Sequence, residues 1–208
     1  MCGIAGIFDR RAGRPPSEEE LRRMIEVVTH RGPDEEGYRV DGSIGLAHAR
    51  LSIIDLAGGR QPVHNEDETI WVVFNGEIFN YIELREDLVG RGHRFYTKSD
   101  TEVLVHLYEE HGTDFVDHLN GQFGIALWDG RAQRLVLARD RVGIRPVFFA
   151  EAGGRLLFAS EIKSMFALPD LERRLDHRAL GELFTYWSPL EPHTVFAGVT
   201  ALPPGKLM

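Results

Sequence analysis

The sequence predicts an α+β fold in which antiparallel sheets pack together with helices outside. Four short apolar runs carry most of that prediction: Phe123–Trp128, Arg134–Ala138, Pro146–Ala150 and Leu156–Ala159. Gly- or Asp-containing turns separate them, and spacing that close pairs neighbours as hairpins. Helical and strand patterns also fail to alternate regularly, as a doubly wound parallel sheet would require. A length of 208 residues, 43% hydrophobic and 27% charged, suits one globular domain with room for a short extension.

Ile4–Phe8 is an apolar run ending at Asp9-Arg10 and reads as a buried strand. Arg11–Pro16 reads as loop. Ser17 and Glu20 form a capping box ahead of a helix whose apolar face is Leu21, Met24, Ile25 and Val28. His30-Arg31-Gly32-Pro33-Asp34 breaks that helix. Strands are expected at Ser43–Ala49 and Leu51–Ile54, then a loop over Ala57–Gln61. Ile70–Phe74 reads as a strand ending at Asn75-Gly76, a turn dipeptide. Glu83–Gly92 and Thr101–His111 read as helices, the second capped by Asp100. Arg139-Asp140-Arg141 is expected to form a buried ion network. Glu161–Leu168 and Asp176–Tyr186 read as helices, and the tail from Ser188 is rich in proline and turn residues.

Composition narrows the function. A net charge of −8 argues against nucleic acid or an anionic membrane as main partner. No apolar run approaches the roughly 18 residues of a membrane span. The N-terminus lacks the blocks of a signal peptide, so a cytoplasmic protein is expected. The single cysteine excludes an internal disulfide framework and any multi-cysteine metal site. Nine histidines show no H-E-x-x-H spacing; His106 and His111 stand five apart, and no metal is expected. Phosphate-loop and dinucleotide fingerprints are both missing.

That single cysteine is Cys2. A small second residue permits removal of Met1, which would place a thiol and a free α-amine on one residue. Their ordinary pKa values are about 8.5 and about 7.7–8.0, so the amine can take the thiol proton near neutral pH. The competing reading is an incidental buried cysteine.

Longer strings go further. MCGIAGIF at the start, HRGPD at 30–34, HARLSIIDL at 48–56 and GGRQPVHNED at 58–67 occur in that order. VVFNGEIFNY, SDTEVLVHLYEEHG, LNGQFGIALWD, LARDRVGIRP and FASEIKS continue the series to Ser164. Together they resemble the class II glutamine amidotransferases, and in detail the glutaminase half of the glutamine-hydrolysing asparagine synthetases. The resemblance implies a four-layer α/β/β/α sandwich of two mainly antiparallel sheets, the N-terminal nucleophile hydrolase fold. It implies hydrolysis of the glutamine side-chain amide to glutamate and ammonia, with no cofactor for that step.

The resemblance also implies roles. Cys2 is the expected nucleophile, with Asn75 and Gly76 holding the oxyanion. Arg50 is expected to pair with the α-carboxylate of L-glutamine, and Asp100 and Glu77 with its α-ammonium. Backbone of Leu51, Ser52, Ile53 and Ile54 lines the pocket. Taken alone, Asn75-Gly76 reads first as a hairpin turn; Arg50 could also be a surface ion pair and Asp100 a helix cap. Residues 1–187 are expected to form the glutaminase domain and 188–208 a linker toward a synthetase domain, which would use ATP and Mg2+ to amidate aspartate. Another acceptor, or glutamine binding without catalysis, is the alternative. A homodimer is left open; nucleic acid and membrane are not expected partners. Gly124 departs from the family, where alanine is usual.

Overall fold

Both faces of the first strand, Gly3–Asp9 (β1), are apolar, and both are covered. The computed structural model describes residues 1–11 and 13–208; Ala12, within the predicted loop Arg11–Pro16, lies outside the described residues. After β1 come Glu18–Glu26 (α1), Glu35–Asp41 (β2), Ile44–Arg50 (β3), Val63–His64 (β4) and Ile70–Ile78 (β5). Tyr81–Gly90 (α2), Val103–His111 (α3), Gly121–Asp129 (β6) and Arg134–Arg139 (β7) follow. Phe148–Ala152 (β8), Arg155–Ala159 (β9), Ile162–Met165 (α4), His177–Tyr186 (α5) and Val199–Ala201 (β10) complete the chain.

Six strands form one sheet in the order β10-β8-β9-β1-β3-β2, and four form a second in the order β4-β5-β6-β7. All pairings are antiparallel. The side-chain period of two then sorts residues into layers. Ile4, Leu46, Trp71, Val73, Trp128 and Phe158 meet between the sheets. Ala5, Ile7, Met24, Ile25 and Met165 pack the first sheet against α1 and α4. Val72, Phe74, Leu104, Leu107 and Phe123 pack the second against α3 and its neighbours. The layers run helix, sheet, sheet, helix, the predicted sandwich. No helix among the described residues is long and apolar enough to cross a membrane.

Local chemistry accounts for α1. The Ser17 side chain accepts from Glu20 N, and the Glu20 carboxylate reaches back to Ser17 N at 3.1 Å. That carboxylate also meets buried Arg155, with Nη2 at 2.9 Å from its Oε1 and 2.7 Å from Asp170 Oδ2. Arg14 reaches the same two carboxylates, 2.7 Å from Glu20 Oε1 and 2.6 Å from Asp170 Oδ1, so two arginines share them.

Several local expectations are corrected. β5 does not end in a turn at Asn75-Gly76: it runs on to Ile78, with Asn75 opposite Gly124 and Gly76 opposite Phe123. Leu51–Ile54 is loop, not strand. Ser99, not Asp100, caps the segment before α3, its hydroxyl accepting from Thr101 N. Arg139, Asp140 and Arg141 form no ion network with one another: Asp140 Oδ1 accepts from the backbone of Val142, Gly143 and Ile144. Arg139 instead donates to Glu191 and to backbone carbonyls. β2 was missed, because one face of this outer strand is polar and shows little apolar alternation. A Cβ on Gly124 would come within 2.8 Å of Val147 Cγ2, which accounts for glycine there. In the tail, β10 pairs with β8, and Met208 exchanges backbone bonds with Leu137.

His48 lies on the inner face of β3, fully buried, with Nε2 3.1 Å from Phe74 O. Burial pushes its pKa down to about 3, and the Arg50 charge pushes the same way. An unfolded chain takes up this proton near pH 6.5. The unfolded state therefore binds more protons below pH 6.5, and stability falls as pH drops from there toward 3. Between pH 6.5 and 4 the imidazole is expected to stay neutral by NMR while the urea midpoint declines. A His48 resonance titrating near 6.5 in the folded protein would refute this.

Candidate active site

The inner-face positions of three strands meet at one end of the sandwich. Cys2 precedes β1, Arg50 closes β3, and Asn75 lies in β5. Their side chains line a cavity of about 240 Å³. Leu51, Ile53, Ile54, Gly76, Glu77 and Asp100 line it too, so residues from 2 to 100 in the sequence share one wall system. Ser52 does not; its N–H donates to Asp34 Oδ2 at 2.8 Å.

Cys2 is pinned from several sides. Gly3 pairs with Ala49, and Ile4 N donates to Ser160 Oγ at 3.0 Å. Arg31 Nε donates to Cys2 O at 2.9 Å, while Arg31 Nη1 pairs with Glu161 at 3.0 Å. The HRGPD string thus holds the backbone of Cys2. Leu51 N points at Sγ from 3.4 Å. Burial pushes the Cys2 thiol up, opposed by the Leu51 N–H and by the positive charges of the chain terminus and Arg50.

Arg50 is buried and fully engaged at its two terminal nitrogens. Nη1 meets Glu35 Oε2 at 2.9 Å and Leu56 O at 3.4 Å; Nη2 meets Asp55 O at 2.6 Å and Ile54 O at 3.2 Å. One guanidinium therefore folds the 51–59 loop around the cavity mouth. Asp55 closes the loop, its oxygens accepting from Gly58 N, Gly59 N and Lys98 N.

The edge of β5 supplies donors. β4 covers that edge only at Trp71 and Val72. Beyond it, Phe74 N donates to Gln61 Oε1 at 2.7 Å and Ile78 N to Asp100 Oδ2 at 3.0 Å. Gly76 lies between them, and strand alternation aims its N–H along the same edge. No side chain fits at Gly76: a Cβ would lie 2.0 Å from Gln122 O. Asn75 Nδ2 is buried without a hydrogen-bond partner. An unmet buried donor is costly, which makes it a candidate contact for a ligand. Burial pushes the Asp100 carboxyl up, and the Glu77 charge adds to it against the Ile78 N–H. Two acidic groups this close favour a cation between them.

Gln61, Phe74, Ser99, Thr101 and Arg145 also line the cavity and were not read from the sequence. Arg145 Nε is buried without a partner, and among the described residues Arg145 forms no ion pair. Its signal was present in LARDRVGIRP, whose arginines give no hint of which one faces a cavity.

A family model described as a glutamine amidotransferase domain matches residues 1–208. Glutamine-hydrolysing asparagine synthetase 2 of Bacillus subtilis (strain 168) is 47% identical over 189 residues, 88% of this chain and 25% of that protein. Glutamine-hydrolysing asparagine synthetase 1 of the same organism is 41% identical, covering 99% of this chain and 33% of that protein. Amidase chyE of Penicillium rubens is 38% identical over 220 residues, 100% of this chain and 32% of that protein. The chain spans a quarter to a third of these relatives' length. Among solved structures, glutamine phosphoribosylpyrophosphate amidotransferase from B. subtilis has a similar fold: TM-score 0.67, 21% identity, 80% of this chain and 43% of that one.

Lysine offers donors at one point only, so Arg50→Lys cannot reach Glu35 and three carbonyls together. Amide exchange at Gly58 and Gly59 is expected to quicken roughly tenfold, the equivalent of losing ~1.4 kcal/mol of loop closure. Unchanged exchange by mass spectrometry would remove Arg50 as the organiser of this loop.

Proposed function

The chain belongs to the class II glutamine amidotransferase family, and we propose that its cavity binds L-glutamine and hydrolyses the side-chain amide through Cys2. The observation that carries this reading is the unpartnered Asn75 Nδ2, buried in the same cavity as the Cys2 thiol. With Met1 removed, the α-amine of Cys2 takes the thiol proton. Sulfur attacks the amide carbonyl, and the carbonyl oxygen becomes an oxyanion. Asn75 Nδ2 and the Gly76 N–H donate to that oxygen. Collapse expels ammonia, protonated by the same amine, and leaves a thioester on Cys2. Water then releases glutamate and restores the thiol.

The ends of the substrate have matching walls. The α-ammonium sits between Asp100 and Glu77, relieving their mutual repulsion. The α-carboxylate lies toward Arg50. Arg145, a cavity-lining cation with no ion-pair partner among the described residues, supplies further positive charge to the cavity. Leu51, Ile53 and Ile54 close the remaining side.

We further propose that the ammonia serves an ATP- and Mg2+-dependent amidation of aspartate in a synthetase domain, as the asparagine synthetases among the relatives suggest. The relation to amidase chyE keeps another acceptor as the second reading. We propose a cytoplasmic location for this activity.

Incubation with 6-diazo-5-oxo-L-norleucine, a glutamine analogue with an electrophilic carbon, is expected to add one adduct mapping to Cys2 in a chain that has lost Met1. A processed chain that stays unlabelled would exclude Cys2 as the nucleophile. Asn75→Ala is expected to lower kcat by roughly 100–1000-fold with KM changed little, because its donor acts on the oxyanion alone. A variant that loses KM and keeps kcat would assign Asn75 to substrate binding instead.

A further inference from the structure

Four side chains that do not line the Cys2 cavity converge near α3: Glu66 from the loop after β4, His93 from the loop after α2, and His106 and Glu109 from α3. We propose that they form a binding site for one divalent transition-metal ion, with zinc the best fit to the ligand set. One ligand atom from each residue lies within 4.8 Å of all the others. His106 Nδ1 is 3.4 Å from Glu66 Oε2 and 3.3 Å from Glu109 Oε2. His93 Nδ1 is 3.4 Å from Glu66 Oε1 and 3.6 Å from Glu109 Oε2. Ligands at zinc bonding distance in a tetrahedron stand roughly 3.4 Å apart. His106 to both carboxylates and His93 to Glu109 already have about that length, while the His93 contact to Glu66 uses the other carboxylate oxygen. The widest pairs close by up to about 1.4 Å on binding, and the Glu66 side chain, 35% exposed, has room for that movement.

The outer contacts show a prepared site. Glu66 Oε1 accepts from Arg94 N at 2.8 Å, and Glu109 Oε1 accepts from Asn65 Nδ2 at 2.8 Å. His93 Nε2 lies 3.1 Å from Glu110 Oε1, and His106 Nε2 lies 3.6 Å from Glu102 Oε1. Both rings turn Nδ1 inward; His93 Nε2 has the carboxylate hydrogen bond that metal-bound histidine usually has, and His106 Nε2 faces the Glu102 carboxylate without a hydrogen bond among the described residues. Four carboxylates surround two imidazoles, and Arg91 offsets one of them through Glu110 at 3.1 Å. A divalent ion would offset two more. Two imidazoles with two carboxylates suit zinc better than magnesium or calcium, which favour oxygen alone.

Such an ion would tie three separate segments together. It would also brace the cavity wall, because Glu102 directly follows Asp100 and Thr101.

The test titrates the chelator-stripped 208-residue chain with zinc sulfate against a chromogenic chelator. One equivalent is expected, and cobalt(II) in its place should give the visible bands of a tetrahedral ion. The Cys2→Ala chain should keep the equivalent. Glu66→Gln and His93→Gln, on partly exposed side chains, should keep the native circular dichroism while affinity falls about tenfold or more. Zinc should raise the unfolding temperature of the parent chain and not of these variants. No stoichiometric uptake would overturn the site. So would uptake that survives both variants or that disappears with Cys2.

Discussion

The site hangs from β1, which is hydrogen-bonded on one side to β3 and on the other to β9. A strand held on both edges cannot slip, because a one-residue shift would turn Ile4 out of the inter-sheet core. That register fixes Gly3 opposite Ala49 and so sets Cys2 beside Leu51. Even positions of β1 and β3 and odd positions of β5 face the inter-sheet layer. Cys2, His48, Arg50 and Asn75 share that layer for the same reason that Ile4, Leu46 and Val73 do. The chemistry occupies the end of the core where apolar side chains give way to polar ones.

A second constraint is the open edge of β5. A full ladder there would have consumed its N–H groups. Instead β4 is only two residues long, and side chains replace the absent strand. Gln61 takes Phe74 N and Asp100 takes Ile78 N. The Gly76 N–H lies between these two satisfied donors, next to Asn75. A segment that resembles a hairpin turn in sequence becomes a row of donors because the sheet stops covering it.

The two arginines of the cavity divide their work by partner. Arg50 is held by Glu35 and three loop carbonyls, so its fork shapes the cavity mouth as well as charging it. Arg145 brings charge with no ion-pair partner among the described residues, and its Nε is buried without a hydrogen bond. Behind the opposite wall, Asp100, Thr101 and Glu102 link the cavity to the histidine–glutamate cluster of α3. Polar order on one side is thereby continuous with polar order on the other.

Sequence by itself determined the two-sheet architecture, because period-two apolar runs with close turns leave few other ways to bury both faces. It also determined the capping box of α1, an effect confined to four neighbouring residues. The strings around Cys2, Arg50, Asn75 and Asp100 marked the right parts of the chain. Tertiary structure alone decided that Asn75-Gly76 is a strand edge and not a turn, since local propensity cannot see whether a partner strand is present. It decided that Asp100 serves Ile78 while Ser99 caps, and that Arg31 holds Cys2, contacts 22 and 29 residues apart in sequence. It brought His93 and Glu66 to His106 and Glu109, where spacing had offered only His106 and His111, five apart. Local sequence sets periodicity and caps; long-range pairing sets which polar groups face one another, and that is what makes a site.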